Sequence, residues 1–247
     1  MKKSADQSRL TEAELEFRDL WINPPGEPPG SGASFIPGVE QVRRTRTKTA
    51  YHEAAHVVAR AFTGLQWRDI VRVSLLPNAA NLGRETVRGP HVEHLFINYE
   101  KPEQQSWGRS LLLQTLAGRA ADKRNADGDD WFEIIDDESS DNDIEGTDLY
   151  IANAIATTMS YPGMPPHRIL AMAEKWTVEM LELPDVWATV ENLAAILLER
   201  RVIEDSELLE SVCGGILERA WKLPKWKRRL TIDRSKRAPK FGRDLTT

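Results

Sequence analysis

Tyr51-His52-Glu53-Ala54-Ala55-His56 places two imidazoles and a carboxylate inside one short stretch. On a helix, residues at i and i+4 lie on one face, so His52 and His56 can reach one metal ion, with Glu53 beside them to accept a proton from water. The alanines around them allow a neighbouring helix to come close. A catalytic zinc site usually has three protein ligands and an open position, so a third ligand must come from elsewhere. The longer HExxHxxGxxH pattern is absent, because positions 59 and 62 are Ala59 and Phe62. Glu85, Glu93 and Glu100 are acidic candidates, but none sits in a recognisable helix.

The elements around this stretch follow from periodicity. Residues 8–20 suit a short amphipathic helix, and Asn23-Pro24-Pro25-Gly26-Glu27-Pro28-Pro29-Gly30-Ser31-Gly32 reads as a linker. A helix over about 47–63 carries the His pair, with Thr47 or Thr49 able to cap it. Ile70 to Leu76 is β-branched and partly alternating, which predicts a strand, and Leu82 to Val87 is expected to pair back as an edge strand. Helices are expected at about 103–124, 146–160, 167–181, 185–200 and 205–221. The fold class is therefore mainly α with a small β-sheet. It divides into a flexible segment with a Pro/Gly linker (1–38), a compact domain (39–221) and a basic tail (222–247).

Several motifs taken in order extend the reading. Lys48-Thr49-Ala50-Tyr51-His52-Glu53-Ala54-Ala55-His56 resembles the AYHEAGH motif of the FtsH-type zinc proteases. Arg72-Val73-Ser74-Leu75-Leu76-Pro77 followed by Leu82-Gly83 is similar to that family's strand, proline and edge strand. Leu116-Ala117-Gly118-Arg119-Ala120-Ala121-Asp122 resembles its GGRAAE helix, and Thr147-Asp148-Leu149-Tyr150 through Met159 its ND(I/L)xxAT helix. Together the motifs span roughly residues 40–212.

The resemblance implies an FtsH-like zincin peptidase domain built on the HExxH helix. It carries over Zn²⁺ as cofactor, His52, His56 and Asp148 as ligands, and Glu53 as general base. Asp143 is the rival third ligand, since Asn142-Asp143-Ile144 imitates the same start; only the register at Asp148 aligns the downstream alanines and Met159. Asp148 at a helix start suits a carboxylate. Asp122 is a candidate to orient a ligand histidine. Leu82 and Gly83 are candidates to present a strand edge to an extended peptide by β-augmentation.

The implied activity is metalloendopeptidase cleavage of a polypeptide substrate. The family's ATPase ring unfolds substrates, yet the sequence holds no GxxxxGK[ST] pattern. Substrates are therefore expected to be already flexible, or delivered by a separate ATPase or unfoldase. The resemblance also implies a homo-oligomer, a hexamer in the family. Ala55 replaces the family's glycine, and the segment after the third-ligand helix is shortened at Tyr161-Pro162-Gly163-Met164-Pro165-Pro166.

Composition narrows the alternatives. The 247 residues carry 33 Lys+Arg and 38 Asp+Glu, a net charge of −5, with 40% hydrophobic and 29% charged residues, as expected for a globular chain with a real core. Cys213, the single cysteine, excludes a disulfide framework and a Cys-rich zinc module. No apolar run nears the about 18 residues of a membrane helix, and no apolar stretch follows Met1-Lys2-Lys3, so a cytoplasmic protein that is not integral to a membrane is expected.

Charge is segregated. Residues 125–148 hold eleven acids and no Lys or Arg, while 222–243 hold ten Lys/Arg and one acid, Asp233. The acidic run opens like a calcium loop at Asp141-Asn142-Asp143, but its twelfth position is Ala152, which cannot be the required bidentate Glu. His91-Val92-Glu93-His94 follows Gly89-Pro90 and reads as surface loop; His167 reads as a helix-start residue, and Trp176 and Trp187 as core. The tail around Trp221-Lys222 and Lys225-Trp226-Lys227-Arg228-Arg229 suits an anionic partner. Two other functions stand beside the peptidase: an inactive pseudopeptidase acting as a binding module, and a nucleic-acid-associated protein that uses this tail.

Overall fold

The computed structural model describes residues 9–25, 37–64, 70–77, 83–87, 102–125 and 148–220. In order these form α1 (Glu12–Ile22), α2 (Val39–Thr63), β1 (Ile70–Ser74), β2 (Arg84–Val87), α3 (Pro102–Asn125), α4 (Asp148–Met159), α5 (Pro166–Leu181), α6 (Pro184–Arg200), β3 (Val202–Ile203) and α7 (Ser206–Ala220). The chain is mainly helical with a small antiparallel sheet, as its periodicity predicts.

Helix α2 is the axis of the domain. Ala50, Ala54, Ala55, Val57, Val58, Ala59, Ala61 and Phe62 are buried around its circumference, and α3, α6 and α7 pack against it. Apolar residues over most of the second half of this helix call for neighbours on several sides, and alanine lets those neighbours approach closely. Gly64 ends it in the left-handed conformation (φ 75°), its N–H donating to the Arg60 carbonyl at 2.9 Å.

The start of α2 differs from the sequence expectation. The helix begins at Val39 behind Gly38, not near residue 47, and neither Thr47 nor Thr49 caps it. Thr49 is mid-helix and buried, its hydroxyl donating to the Thr45 carbonyl at 2.9 Å. Val42, Arg46, Thr49 and Ala50 continue the buried stripe toward the N-terminus. Arg46 hides that stripe from a periodicity argument, because a charged residue occupies a buried position. Its guanidinium donates to the Leu198 carbonyl near the end of α6, where the last carbonyls of a helix accept cationic donors.

Within the segment 1–38, expected to be flexible, α1 is folded and packs on α2. Thr11 and Glu14 form a capping box: Thr11 Oγ1 accepts from the Glu14 N–H at 3.3 Å, and Glu14 Oε2 accepts from the Thr11 N–H at 2.7 Å. Glu14 Oε1 also accepts from Arg43 Nε of α2 at 2.9 Å, and Phe17 is buried.

The sheet order is β2-β1-β3, all antiparallel. β1 and β2 pair Val73 with Glu85 and Ser74 with Arg84, with an irregularity between Ile70 and Arg72. β3, two residues long, pairs Val73 with Ile203; so short a strand leaves no alternation to read in sequence. Thus β2 is an edge strand among the described residues.

Candidate metal centre

Three helices supply the site. His52 and His56 lie one turn apart on α2. Asp148 is the first residue of α4, where the helix N-terminus favours a carboxylate. Asp122 and Gln114 lie on α3. Three atom pairs fix the geometry of His52, His56 and Asp148. His52 Nε2 and His56 Nε2 are 3.0 Å apart, and Asp148 Oδ2 is 3.1 Å from the first and 3.2 Å from the second. Bonds of about 2.0–2.2 Å at tetrahedral angles require donors about 3.3–3.6 Å apart, so the triangle has only a few tenths of an ångström to open. Among the described residues, His52, His56 and Asp148 form a group able to hold a metal ion.

The other ring nitrogens decide what the triangle can hold. His52 Nδ1 donates to Asp122 Oδ2 at 3.0 Å, and His56 Nδ1 donates to the Gln114 carbonyl at 2.7 Å. With both protons on Nδ1, two Nε2 lone pairs and a carboxylate oxygen converge on one point. Only a cation, either a proton or a metal, relieves that repulsion.

The titration tendencies agree. Burial alone would lower His52, but hydrogen bonds and charge from Asp122 and Asp148 hold it well above an ordinary imidazole. His56 is likewise raised, with Asp148 outweighing burial and the repulsion from His52. Burial would raise Asp148, yet His56 and His52 hold it far below the usual carboxylate range.

A glycine leaves room for the ion. A Cβ on Gly118 of α3 would lie 2.5 Å from His52 Nε2 and 2.5 Å from His56 Nε2, the two atoms aimed into the triangle. The donor set and this clearance both fit a metal ion. The His52, His56 and Asp148 side chains are 24%, 14% and 26% exposed.

Glu53 is only 7% exposed and sits against the start of the edge strand, with Oε1 at 2.9 Å from where a Cβ of Gly83 would be. Its charge reaches His56. The general-base candidate, the edge strand and the metal ligands thus share one face of α2. Beside them, Tyr51 stacks on Trp187 of α6 (ring centroids 5.8 Å apart), over which Arg124 of α3 sits at 3.9 Å. This stack ties the rotation of α2 to two neighbours.

Of the residues singled out from sequence, His52, Glu53, His56, Asp122, Asp148 and Gly83 come together. Lys48 joins them, 3.6 Å from Asp122 Oδ2. Glu85 lies in β2 opposite Val73, and His167 is exposed at the start of α5. Trp176 and Trp187 pack partly buried against the core rather than within it. Leu82, Glu93, Glu100, His91, His94, Asp143, the rest of the acidic run after Asn125 and the basic tail lie outside the described residues. Sequence reasoning missed the Gln114 carbonyl, which carries no side-chain signal, and the function of Gly118. A glycine inside an apolar helix costs about 1 kcal/mol relative to alanine and so asks for a packing reason.

No family model matches the chain, and no curated protein matches it in sequence. Among the described residues, no helix is long and apolar enough to cross a membrane.

Proposed function

We propose that this chain is a zinc metallopeptidase of FtsH-like design that cleaves flexible polypeptides. The observation that carries the reading is the convergence of His52 Nε2, His56 Nε2 and Asp148 Oδ2 within 3.0–3.2 Å of one another. The ordered motif resemblance adds support, as does the buried carboxylate of Glu53 beside an edge strand. Two imidazoles and one carboxylate are a donor set that suits zinc.

Bound zinc would supply Lewis-acid polarisation of the scissile carbonyl and acidify water. The protein's own groups do the rest. Asp122 and the Gln114 carbonyl hold the Nδ1 protons, so both Nε2 lone pairs face inward. Glu53 takes the proton from the attacking water as its oxygen bonds to the carbonyl carbon. It then delivers that proton to the amine nitrogen as the C–N bond breaks. The edge of β2 offers backbone hydrogen bonds to an extended peptide, which gives broad sequence tolerance.

The test is digestion of casein, an unstructured substrate, by wild type and Glu53→Gln with zinc supplied. Cleavage by wild type alone supports the reading. Cleavage by neither, with zinc bound to both, favours the pseudopeptidase, and equal cleavage by both betrays a contaminant.

A further inference from the structure

Gly83 meets two residues of α2 at once. A Cβ there would lie 2.6 Å from Thr49 Cγ2 and 2.9 Å from both Cγ and Oε1 of Glu53. Cβ atoms essentially never come within 3.0 Å of such neighbours. Backbone conformation does not explain the glycine, because the positive-φ glycines among the described residues are Gly64 and Gly163. Clearance does explain it. Thr49 and Glu53 are one helical turn apart, and the chain entering β2 seats on the surface between them.

Neither neighbour yields without consequence. Thr49 is buried, and its hydroxyl bond to the Thr45 carbonyl fixes its χ1, which holds Cγ2 toward Gly83. Glu53 has more rotational freedom, so a new methyl would swing its carboxylate away. If Glu53 held its place, the strand would lift off α2 instead. Either response parts the carboxylate from the strand edge.

Resting on the peptidase reading above, we propose that Gly83 is a positioning residue for Glu53. Its missing side chain lets the edge strand seat against the general base and fixes the distance between that base and a peptide lying on the strand. Gly118 does the corresponding service for the imidazoles from α3, so the metal half and the base half of the site are cleared by different glycines. A methyl at Gly83 should therefore disturb turnover and leave metal binding alone.

The experiment compares the 247-residue chain with its Gly83→Ala variant by three readouts. Zinc affinity, from competition with a chromophoric chelator, should stay within about threefold, because the variant touches no ligand. On an unstructured peptide substrate, kcat should fall about 100-fold with KM little changed, the signature of a misplaced reacting group. Melting temperature supplies a readout independent of catalysis. Gly83→Ala should lower it by a few degrees in the wild-type background and by much less in a Thr49→Ser, Glu53→Ala background, which lacks the atoms a Cβ would meet.

A kcat equal to that of wild type overturns the proposal, and so does an equal melting penalty in both backgrounds. If wild type itself cleaves nothing while binding zinc, the peptidase reading fails. The melting cycle then still decides whether Gly83 is seated on Glu53.

Discussion

Asp122 Oδ2 lies 3.0 Å from His52 Nδ1 and 3.6 Å from Lys48 Nζ. One carboxylate oxygen thus fixes the tautomer of a metal-ligand candidate while a lysine one turn earlier on α2 shares its charge. The other oxygen of Asp122, Oδ1, is buried without a hydrogen-bond partner among the described residues. Asp122→Ala should weaken zinc binding about 10–100-fold, the usual cost of losing such a support. The fold should survive, because the change removes a partly exposed group from a helix already packed by Leu116, Ala117 and Ala120. Chelator competition and circular dichroism measure the two effects separately; undiminished affinity would mean that His52 does not depend on Asp122.

Gly118→Ala should act more severely on the metal. Its Cβ would stand 2.5 Å from both Nε2 atoms and 2.6 Å from His52 Cε1, in the space the ion needs. Alanine is otherwise the better helix former by about 1 kcal/mol, so a loss of zinc affinity beyond about 100-fold without loss of helicity would assign the effect to clearance. Direct titration with Co²⁺, whose absorption reports tetrahedral coordination, gives the readout. A wild-type spectrum from Gly118→Ala would show that the site accommodates the methyl.

Much of this arrangement is legible before any coordinates. HExxH, its helix, the strand that follows and the carboxylate at Asp148 are sequence-local patterns, with periodicity or a short motif behind each. Less legible is whatever depends on contacts between elements. Gln114 contributes a backbone carbonyl, which any residue could offer. Gly118 and Gly83 matter for atoms they lack. Arg46 and Thr49 sit at buried positions that a hydrophobic pattern reads as solvent-facing, so the first two turns of α2 fall outside the helix expected over about 47–63. β3 exists because Arg201, at φ 65°, turns the chain after α6 and its carbonyl accepts from the Leu75 N–H at 2.8 Å.

Arg46 offers a check on that account of α2. Its guanidinium is buried enough that desolvation lowers its pKa, against a raising effect from Glu14, and it bonds the Leu198 carbonyl. Arg46→Ala should destabilise the protein by about 2–3 kcal/mol, combining a lost charged hydrogen bond with lost packing of the stem. Arg46→Lys should recover only part, since an ammonium lacks the planar fork. Urea unfolding midpoints measure both. A midpoint for Arg46→Ala equal to that of wild type would mean that the N-terminal turns of α2 gain nothing from α6.

On the peptidase reading, protons and zinc would compete for the same three atoms, which fixes the sign of the pH dependence. His52 and His56 are raised above the ordinary imidazole value and Asp148 is held below the ordinary carboxylate value, so the metal-free site holds a proton more tightly than a free imidazole would. Zinc must displace it, and affinity should therefore rise with pH until both imidazoles have lost their charge. The stability of the metal-free chain follows the opposite course. A raised histidine contributes fully below its unfolded pKa of about 6.5, and that contribution disappears as pH climbs through the folded value. Asp148 contributes above the unfolded carboxylate value of about 3.9 and loses its effect only as pH falls toward its depressed folded value. Metal-free protein should thus be most stable in mildly acid solution and weaken above neutrality, while zinc protects it most on the alkaline side. Melting curves with and without zinc between about pH 5 and 9, together with calorimetric counting of protons released on zinc binding, test both halves. A stabilisation by zinc that does not grow with pH would remove the imidazoles from the ligand set.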